Sequence, residues 1–461
     1  MSADINPDIF RQYDVRGIVG EDLTEVVVEK LGKGYGAYMV QRGAKKISVG
    51  YDARLSSPRF RDALVDGITS TGLDLVDIGM VPTPTLYFSL FHLELDGGVM
   101  ITGSHNPPEF NGFKLAAGRA TLYGEEIQQL RRIIEADEYP RGRGIVSEQD
   151  IKPAYRQTLE RKIGPFERAI KVVVDAGNGV GGIFCPELLT DLGAEASGLF
   201  CEVDGNFPNH HPDPTVPAYL QDLIDEVKAR GAELGMAYDG DCDRLGVVDE
   251  QGRIIWGDQL LILFSREVLA HRPGATIIFE VKCSQALPEE IERAGGVPLM
   301  WRTGHSFIKQ KMREENAPLA GEMSGHLFFA DDYYGYDDAL YASLRLIRLL
   351  SRSRRTIGEM LADVPRYYST PEIRVDCPED QKFQVVSEVA DYFKRRYDVI
   401  EVDGARILFG DGWGLVRASN TQPILVLRFE ARTEERLAEI EQMVISTLRE
   451  LSSLEISVEQ P

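Results

Sequence analysis

Residues 45–54 read KKISVGYDAR. A short apolar run rich in β-branched residues gives way to a polar turn. An amphipathic stretch follows from Pro58 to Thr71, then Gly72, then LDLVDIGMV at 73–81. The order is buried strand, polar turn, helix, glycine stop, strand. The same grammar returns twice. IKVVVDAGNG at 170–179 leads through a helical stretch to Leu192 and into GAEASGLF. ATIIFEVKCS at 275–284 leads through a helical stretch to Ala294 and into GGVPLMW. A strand–helix–strand unit favours parallel pairing with a right-handed crossover. The pattern predicts three related α/β domains, with one long doubly wound sheet as the alternative. The 461 residues exceed the ~250–300 at which single cores stop growing, which favours separate domains.

The tail differs. A helix-like run around Phe383–Arg396 precedes VDGARILFGDGWGLVRAS, which reads as a hairpin. The strand ILVLRFEA and a charged helix from Thr433 follow, so a smaller C-terminal α+β domain is expected. The expected domains are 1–147, 148–252, 253–362 and 363–461.

The formal net charge is -22. That argues against nucleic acid or an anionic membrane as partner, since both need a net attraction to phosphates. A phosphate ligand would need a local basic cluster. The five cysteines are scattered and form no CxxC pair, as expected of a reducing cytoplasm. No signal peptide and no membrane span are read from the chain.

Four segments carry chemistry. Ile101-Thr102-Gly103-Ser104-His105-Asn106-Pro107-Pro108 follows the apolar GGVM, and Asn-Pro-Pro ends regular structure there. Ser104 thus sits in a tight loop at a strand end, where ligands of α/β folds gather. Serine needs activation by a base or a charge, and His105 and Lys114 are near in sequence. A turn serine making a local hydrogen bond is the competing reading.

Asp239-Gly240-Asp241-Cys242-Asp243-Arg244 lies between the strand-like LGMAY and LGVVDEQGRII. Three alternating carboxylates can converge on one hard cation; unpaired, they would repel. An EF-hand would need glycine where Arg244 stands, and helical flanks. A solvated acidic hairpin fits poorly with apolar flanks. Arg244 beside the carboxylates points to a phosphate bridging cation and guanidinium.

Trp301-Arg302-Thr303-Gly304-His305 is a strand end with cationic and polar groups. Gly321-Glu322-Met323-Ser324-Gly325-His326 offers a carboxylate, a hydroxyl and an imidazole suited to sugar hydroxyls. Arg417-Ala418-Ser419-Asn420-Thr421-Gln422-Pro423 reads as an anion cradle. Taken singly, these three segments also fit ordinary turns. GNGVGG at 177–182 formally fits GxGxxG, but lacks the downstream acidic residue and reads as a tight strand-to-helix turn.

Together with FRQYDVRG at 10–17, these ordered motifs resemble the α-D-phosphohexomutases, nearest their bacterial phosphomannomutase/phosphoglucomutase branch. The likeness spans nearly the whole chain. It implies α/β domains with mixed sheets and a C-terminal α+β domain around a central active-site cleft. It implies that Ser104 is phosphorylated and that Mg2+ is held by Asp239, Asp241, Asp243 and the Ser104 phosphate. Tyr13, Arg16, His105, Lys114, Arg244 and His305 would line the reaction centre, with Lys114 and His305 as acid and base candidates. Lys282, Thr303, Gly304, Glu322, Ser324 and His326 would meet the sugar; Arg417, Ser419, Asn420 and Thr421 would hold its distal phosphate. Cys242 departs from the family's usual glycine.

The reaction so implied converts hexose 1-phosphate and hexose 6-phosphate, mannose or glucose, through a sugar 1,6-bisphosphate that is also the activator. Glucosamine phosphate is the alternative substrate, although Met323 stands where that branch carries glutamine. An aspartyl-phosphate phosphatase would use Asp239, but Asp243 occupies the position where it needs Thr or Val. Small sugar phosphates are the expected partners, in the cytoplasm, with a monomer or dimer as the expected state.

Overall fold

The computed structural model describes residues 5–420 and 423–452. The chain divides into two compact units. One runs to Leu260 and takes in Ser324–Leu361; the other comprises Leu261–Met323 and the chain from Ala362.

The first unit holds two mixed sheets. In the first sheet the strand Lys46–Tyr51 pairs in parallel with Asp74–Met80 on one side and Gly97–Ile101 on the other. Gly97–Ile101 then pairs antiparallel with Phe110–Ala117, which pairs antiparallel with Val15–Ile18. In the second sheet Lys171–Asp175 lies between Glu195–Leu199 and Leu234–Tyr238, all parallel. Leu234–Tyr238 turns back antiparallel into Leu245–Asp249. Both sheets therefore place one loop where a parallel strand reverses into a hairpin. The Ser104 loop occupies the first such place and the Asp239–Asp243 loop the second, each at a strand's carboxyl end.

The core of the first sheet is apolar and fully covered. Ile47, Val49, Val99 and Ile101 pack with Phe60 and Leu64 of the helix Ser57–Thr69 and with Phe113. At roughly 1.5–3 kcal/mol per fully buried aliphatic or aromatic side chain, this cluster fixes the register that sets the Ser104 loop.

The expected unit at 170–200 has its two parallel strands but not a long helix. A short 3-10 turn, Val180–Ile183, and a five-residue helix, Glu187–Asp191, stand in its place. Gly181, Gly182 and Pro186 interrupt the stretch. Glycine carries an entropic penalty in a helix and proline cannot donate inside one.

His210 braces the end of Lys171–Asp175. Its Nε2 lies 2.9 Å from Asp175 Oδ2 and its Nδ1 2.8 Å from the His211 carbonyl oxygen. Both neighbours accept, so both nitrogens carry protons. Burial pulls this imidazolium's pKa down, but the hydrogen bond and charge of Asp175 outweigh it, and the net shift is upward. A group raised on folding stabilises fully below its unfolded pKa of ~6.5 and loses that contribution as pH climbs through the folded value. Urea denaturation of wild type and His210→Gln should differ most below pH ~6.5 and converge on the alkaline side. A gap that widens with rising pH would contradict the assignment.

In the second unit Thr276–Glu280 pairs in parallel with Val297–Trp301 and with Leu319–Gly321. The C-terminal sheet is antiparallel. Its central strands Gly412–Ala418 and Ile424–Ala431 are flanked by Ala405–Leu408 and by Ile373–Asp376. The helices Lys382–Phe393 and Glu434–Ser452 cover it through Val389, Phe393, Ile440 and Val444. This is the expected α+β end of the chain, except that Arg417 and Ala418 complete a strand rather than lying in the turn. Among the described residues, no helix is long and apolar enough to cross a membrane.

Candidate active site

In the first unit Ser104 is 3% exposed and its backbone is left-handed, with φ 51°. Its Oγ donates to Asp239 Oδ2 at 2.9 Å and lies 3.1 Å from His105 Nδ1. The conformation is uncommon for a non-glycine residue, so the loop needs external support. Arg54 provides it. The Arg54 guanidinium is buried and donates to the carbonyl oxygens of Ser104 (2.8 Å), Asn106 (2.5 Å), Pro107 (2.6 Å) and Phe110 (2.8 Å). Asp52 balances its charge at 3.2 Å. The loop leaves no room for a side chain at Gly103, where a Cβ would stand 2.5 Å from that guanidinium.

The carboxylates of Asp239, Asp241 and Asp243 are wholly buried, with one oxygen of each within 4.8 Å of the others. Gly240 passes so close to the Ser104 carbonyl that a Cβ would lie 2.5 Å from it. The Lys114 ammonium sits 2.6 Å from Asp241 Oδ2 and 2.5 Å from Asp243 Oδ2. Thr83 holds Asp241 twice, through Oγ1 to Oδ2 at 2.5 Å and through N to the backbone oxygen at 2.9 Å.

These contacts split the acidic groups. Burial, and then the like charges of Asp241 and Asp243, push Asp239 well above the usual carboxylate range. Burial also opposes ionisation of Asp241, but Lys114 and the Thr83 hydroxyl pull it below that range. Lys114 is held charged, since its two aspartates outweigh its burial. His105 is pushed well below 6.5 by burial and by the charges of Arg244 and Arg16, so it is neutral.

This donor set fits a hard divalent cation. Asp241 Oδ1 and Asp243 Oδ1 are buried without a hydrogen bond, and an all-oxygen carboxylate cluster suits such an ion. Cys242, the departure from glycine, has φ 61° and is fully buried. A left-handed backbone is one that glycine adopts freely, which accounts for the glycine that the resemblance leads one to expect there, and burial raises the thiol well above its usual range. The three carboxylates keep their convergence despite it.

Two arginines flank the serine loop's partners. Arg16 reaches Asn106 Oδ1 at 2.8 Å and Asp14 Oδ2 at 2.6 Å. Arg244 donates from Nε to His326 Nε2 at 3.0 Å. Tyr13 lies in the bend before the strand that carries Arg16. Ser324 opens the segment that returns to this unit.

In the second unit Glu280 organises three loops. One oxygen, Oε2, accepts from Lys282 N (2.9 Å) and Thr303 Oγ1 (2.8 Å), while Oε1 accepts from Met323 N (3.3 Å). Glu322 Oε1 accepts from Gly304 N at 2.9 Å. Lys282 is paired with Glu372 at 2.6 Å. Burial lowers this lysine, but Glu372 and Glu280 override it and keep it charged. His305 is buried and opens the helix His305–Glu315.

Asp403 joins two of the predicted segments, taking Thr303 N at 3.0 Å and Arg417 Nε at 2.7 Å on the same oxygen. Lys382 Nζ holds the Ser419 carbonyl at 2.6 Å. Asn420 follows Ser419, and Thr421 lies outside the described residues. Arg54, Thr83, Glu280, Asp403 and Lys382 were absent from the sequence-based site. For Arg54 the available signal was a charged pair, Asp52 and Arg54, straight after a buried strand.

Four domain signatures match along the chain. Phosphoglucomutase/phosphomannomutase alpha/beta/alpha domains I, II and III match residues 7–141, 155–252 and 256–368. The C-terminal domain of the same description matches 372–447. The chain is 47% identical over 446 residues to a phosphomannomutase/phosphoglucomutase of Pseudomonas aeruginosa, covering 96% of each. It is 47% identical over 444 residues to a phosphoglucomutase of Neisseria gonorrhoeae, covering 95% of this chain and 96% of that one. A crystal structure of a phosphoglucomutase/phosphomannomutase family protein from Burkholderia thailandensis superposes with a TM-score of 0.91 at 41% identity, over 99% of this chain and all of that one. With all four domains matched in order and relatives this similar from end to end, the chain belongs to the phosphoglucomutase/phosphomannomutase family.

Proposed function

We propose that this enzyme interconverts hexose 1-phosphate and hexose 6-phosphate, of mannose, glucose or both, with Ser104 as the phosphoryl carrier. The mutase reaction is that of the family. The observation that carries the serine assignment is the clamped, left-handed loop, which presents Ser104 Oγ to a buried tri-aspartate cluster. In the forward direction the P–O bond of phospho-Ser104 breaks and a bond to the free sugar hydroxyl forms. The hydroxyl proton leaves to a base and the serine oxygen takes one up. The resulting 1,6-bisphosphate turns around and returns its other phosphate to Ser104.

Magnesium, held by Asp239, Asp241, Asp243 and the Ser104 phosphate, would supply charge neutralisation at the transferring group. Lys114, kept charged by its aspartates, adds a fixed cation and is the acid for the departing serine oxygen. Arg16 and Arg244 orient phosphate oxygens through planar forks. His305 is the candidate base toward the sugar. Lys282, Thr303, Gly304, Glu322 and Ser324 recognise the sugar. Arg417, Ser419, Asn420 and Thr421 hold the distal phosphate. The domains serving these tasks are proposed as 1–147, 148–252, 253–362 and 363–461.

Intact mass with site mapping, and a panel of mannose, glucose and glucosamine 1-phosphates with and without a chelator, tests the reading. Phosphate on Ser104, metal-dependent turnover and a preference for mannose or glucose are expected. Phosphate on Asp239, or release of inorganic phosphate without isomerisation, would overturn it. A preference for glucosamine phosphate would move the enzyme to that branch.

Asp403 offers a separate check on the distal phosphate. Hydrogen bonds to charged groups contribute ~1.5–3 kcal/mol. Asp403→Ala should therefore raise KM about tenfold or more by releasing Arg417 and the Thr303 amide, with a smaller change in kcat. An unchanged KM would remove Arg417 from the phosphate cradle.

A further inference from the structure

The C-terminal sheet of the second unit has two faces of opposite character. Val416, Ala418, Leu425, Leu427 and Phe429 pack with the covering helices. The residues between them point the other way. Trp413, Leu415 and Arg417 alternate along one strand. Arg406 pairs across with Leu415, Leu415 with Arg428, and Trp413 with Glu430. This second face therefore carries Arg406, Arg428 and Glu430, all buried, with Arg406 at 0% exposure. Buried charges are costly unless they are paired or hydrogen-bonded, so their partners reveal what the face supports.

They converge on one loop of the same unit. Arg406 donates from a single terminal nitrogen to the carbonyl oxygens of Val281 (2.5 Å) and Cys283 (2.8 Å). Arg428 donates to the carbonyl oxygen of Lys282, between them. Glu430 Oε1 accepts from Gln285 N and from the Trp413 indole, each at 2.8 Å. The Arg406 guanidinium lies 3.7 Å from the centre of the Trp413 ring, a cation–π contact. Val281 packs on Trp413 and Leu415. Three consecutive carbonyls are thus held by two buried arginines, while Glu280 holds the Lys282 amide.

We propose that Arg406 is a positioning residue for sugar binding. It fixes the backbone of 281–283, so that Lys282 meets the sugar at a set distance from the Arg417 cradle. The end of the lysine is anchored on the same sheet. Its Nζ pairs with Glu372, which immediately precedes the strand Ile373–Asp376. Arg417 shares its strand face with Trp413 and Leu415, so both cations have one support. A ligand gripped by a phosphate at one end and by hydroxyls at the other is bound best when that spacing is preorganised.

This role rests on Lys282 serving the sugar, and the test separates the two. Steady-state kinetics on mannose or glucose 1-phosphate compare the full-length wild type, Arg406→Met, Arg406→Lys, Lys282→Ala and the Met/Ala double variant. Methionine keeps an apolar stem against Trp413 and removes the donors. Arg406→Met should raise KM on the order of ten- to a hundredfold, the size of a lost hydrogen bond to a charged group, with kcat changed less. Arg406→Lys, which returns a cationic donor, should recover part of that loss. In the Lys282→Ala background Arg406→Met should add little. Hydrogen–deuterium exchange should quicken at 282–285 in Arg406→Met and stay unchanged in the helices Lys382–Phe393 and Glu434–Ser452. If Arg406→Met does not fold, Arg406→Lys carries the same comparisons with smaller changes. Additive losses with Lys282→Ala, a fall in kcat at unchanged KM, or faster exchange throughout the C-terminal sheet and helices would mark a merely structural arginine and overturn the proposal. An unchanged KM in Lys282→Ala alone would overturn it by another route, ending the reading of Lys282 at the sugar while exchange at 282–285 still reports the clamp.

Discussion

Ser104→Ala is expected to lower kcat/KM by on the order of 10⁴ or more, equivalent to ~5 kcal/mol of transition-state stabilisation. The argument is that the serine oxygen is a bond-forming atom in both half-reactions. Its removal leaves the fork of arginines, Lys114 and the carboxylates with nothing to exchange a phosphoryl group with. The protein should still fold. The Ser104 hydroxyl meets only Asp239 and His105, and alanine retains the backbone whose carbonyl Arg54 holds. Alanine at φ 51° carries a left-handed penalty of roughly 1–2 kcal/mol, which the serine already bears. Steady-state assays alongside thermal melts give the expected pair of results: activity gone and melting temperature within a few degrees. Near-normal turnover would show that the serine is a bystander.

The second large effect falls on a residue that never touches substrate. Arg54 satisfies four carbonyl oxygens of the serine loop with a single planar group. Arg54→Ala takes the guanidinium from those carbonyls and the countercharge from Asp52, which keeps only the Ser57 hydroxyl and the amides of residues 54 and 103. Breaking a buried ion pair by removing one partner costs ~3–5 kcal/mol, and each unsatisfied buried acceptor adds ~1–3 kcal/mol unless the loop moves to reach water. Movement is the cheaper outcome, so the expected result is loss of the left-handed Ser104 geometry together with a lower melting temperature. Arg54→Lys is the more informative variant. It restores the charge near Asp52 but offers one compact ammonium where a five-donor fork was needed. It should recover much of the stability and little of the activity. Equal recovery of both would mean that charge alone, not the fork, organises the loop.

The contrast between these two residues explains what was readable from sequence. Ser104, the three aspartates and the Thr303–His305 segment sit in short contiguous motifs at strand ends, where local pattern and chemistry coincide. Their supports do not. Arg54 meets its loop across 50–56 residues, and Thr83 meets Asp241 across 158. Asp403 joins Thr303 and Arg417 from opposite sides in sequence, 100 and 14 residues away. No window of hydrophobic periodicity contains such pairs. The strands were legible where apolar runs were bounded by turns. The helix expected before Leu192 was not, because glycine and proline shortened a stretch whose apolar spacing still looked helical. At Cys242 the departure from glycine was visible, but only the backbone angle shows what it strains.

The first unit is discontinuous in the chain, and that has a consequence for how the enzyme is made. Synthesis delivers the sheets bearing Ser104 and the aspartates before residue 260, yet Ser324–Leu361 belongs to the same unit. Tyr155 waits for Asp338, 183 residues further on, and Arg244 waits for His326, 82 residues on. At ~5–20 residues per second, the nascent chain exposes those unsatisfied groups for seconds while the intervening segment emerges. Expression of the first 260 residues alone should give an aggregation-prone fragment, whereas one that rejoins 324–361 through a short linker should be far more soluble. An engineer dividing this protein into parts would therefore cut it by spatial unit and splice, not by position along the gene.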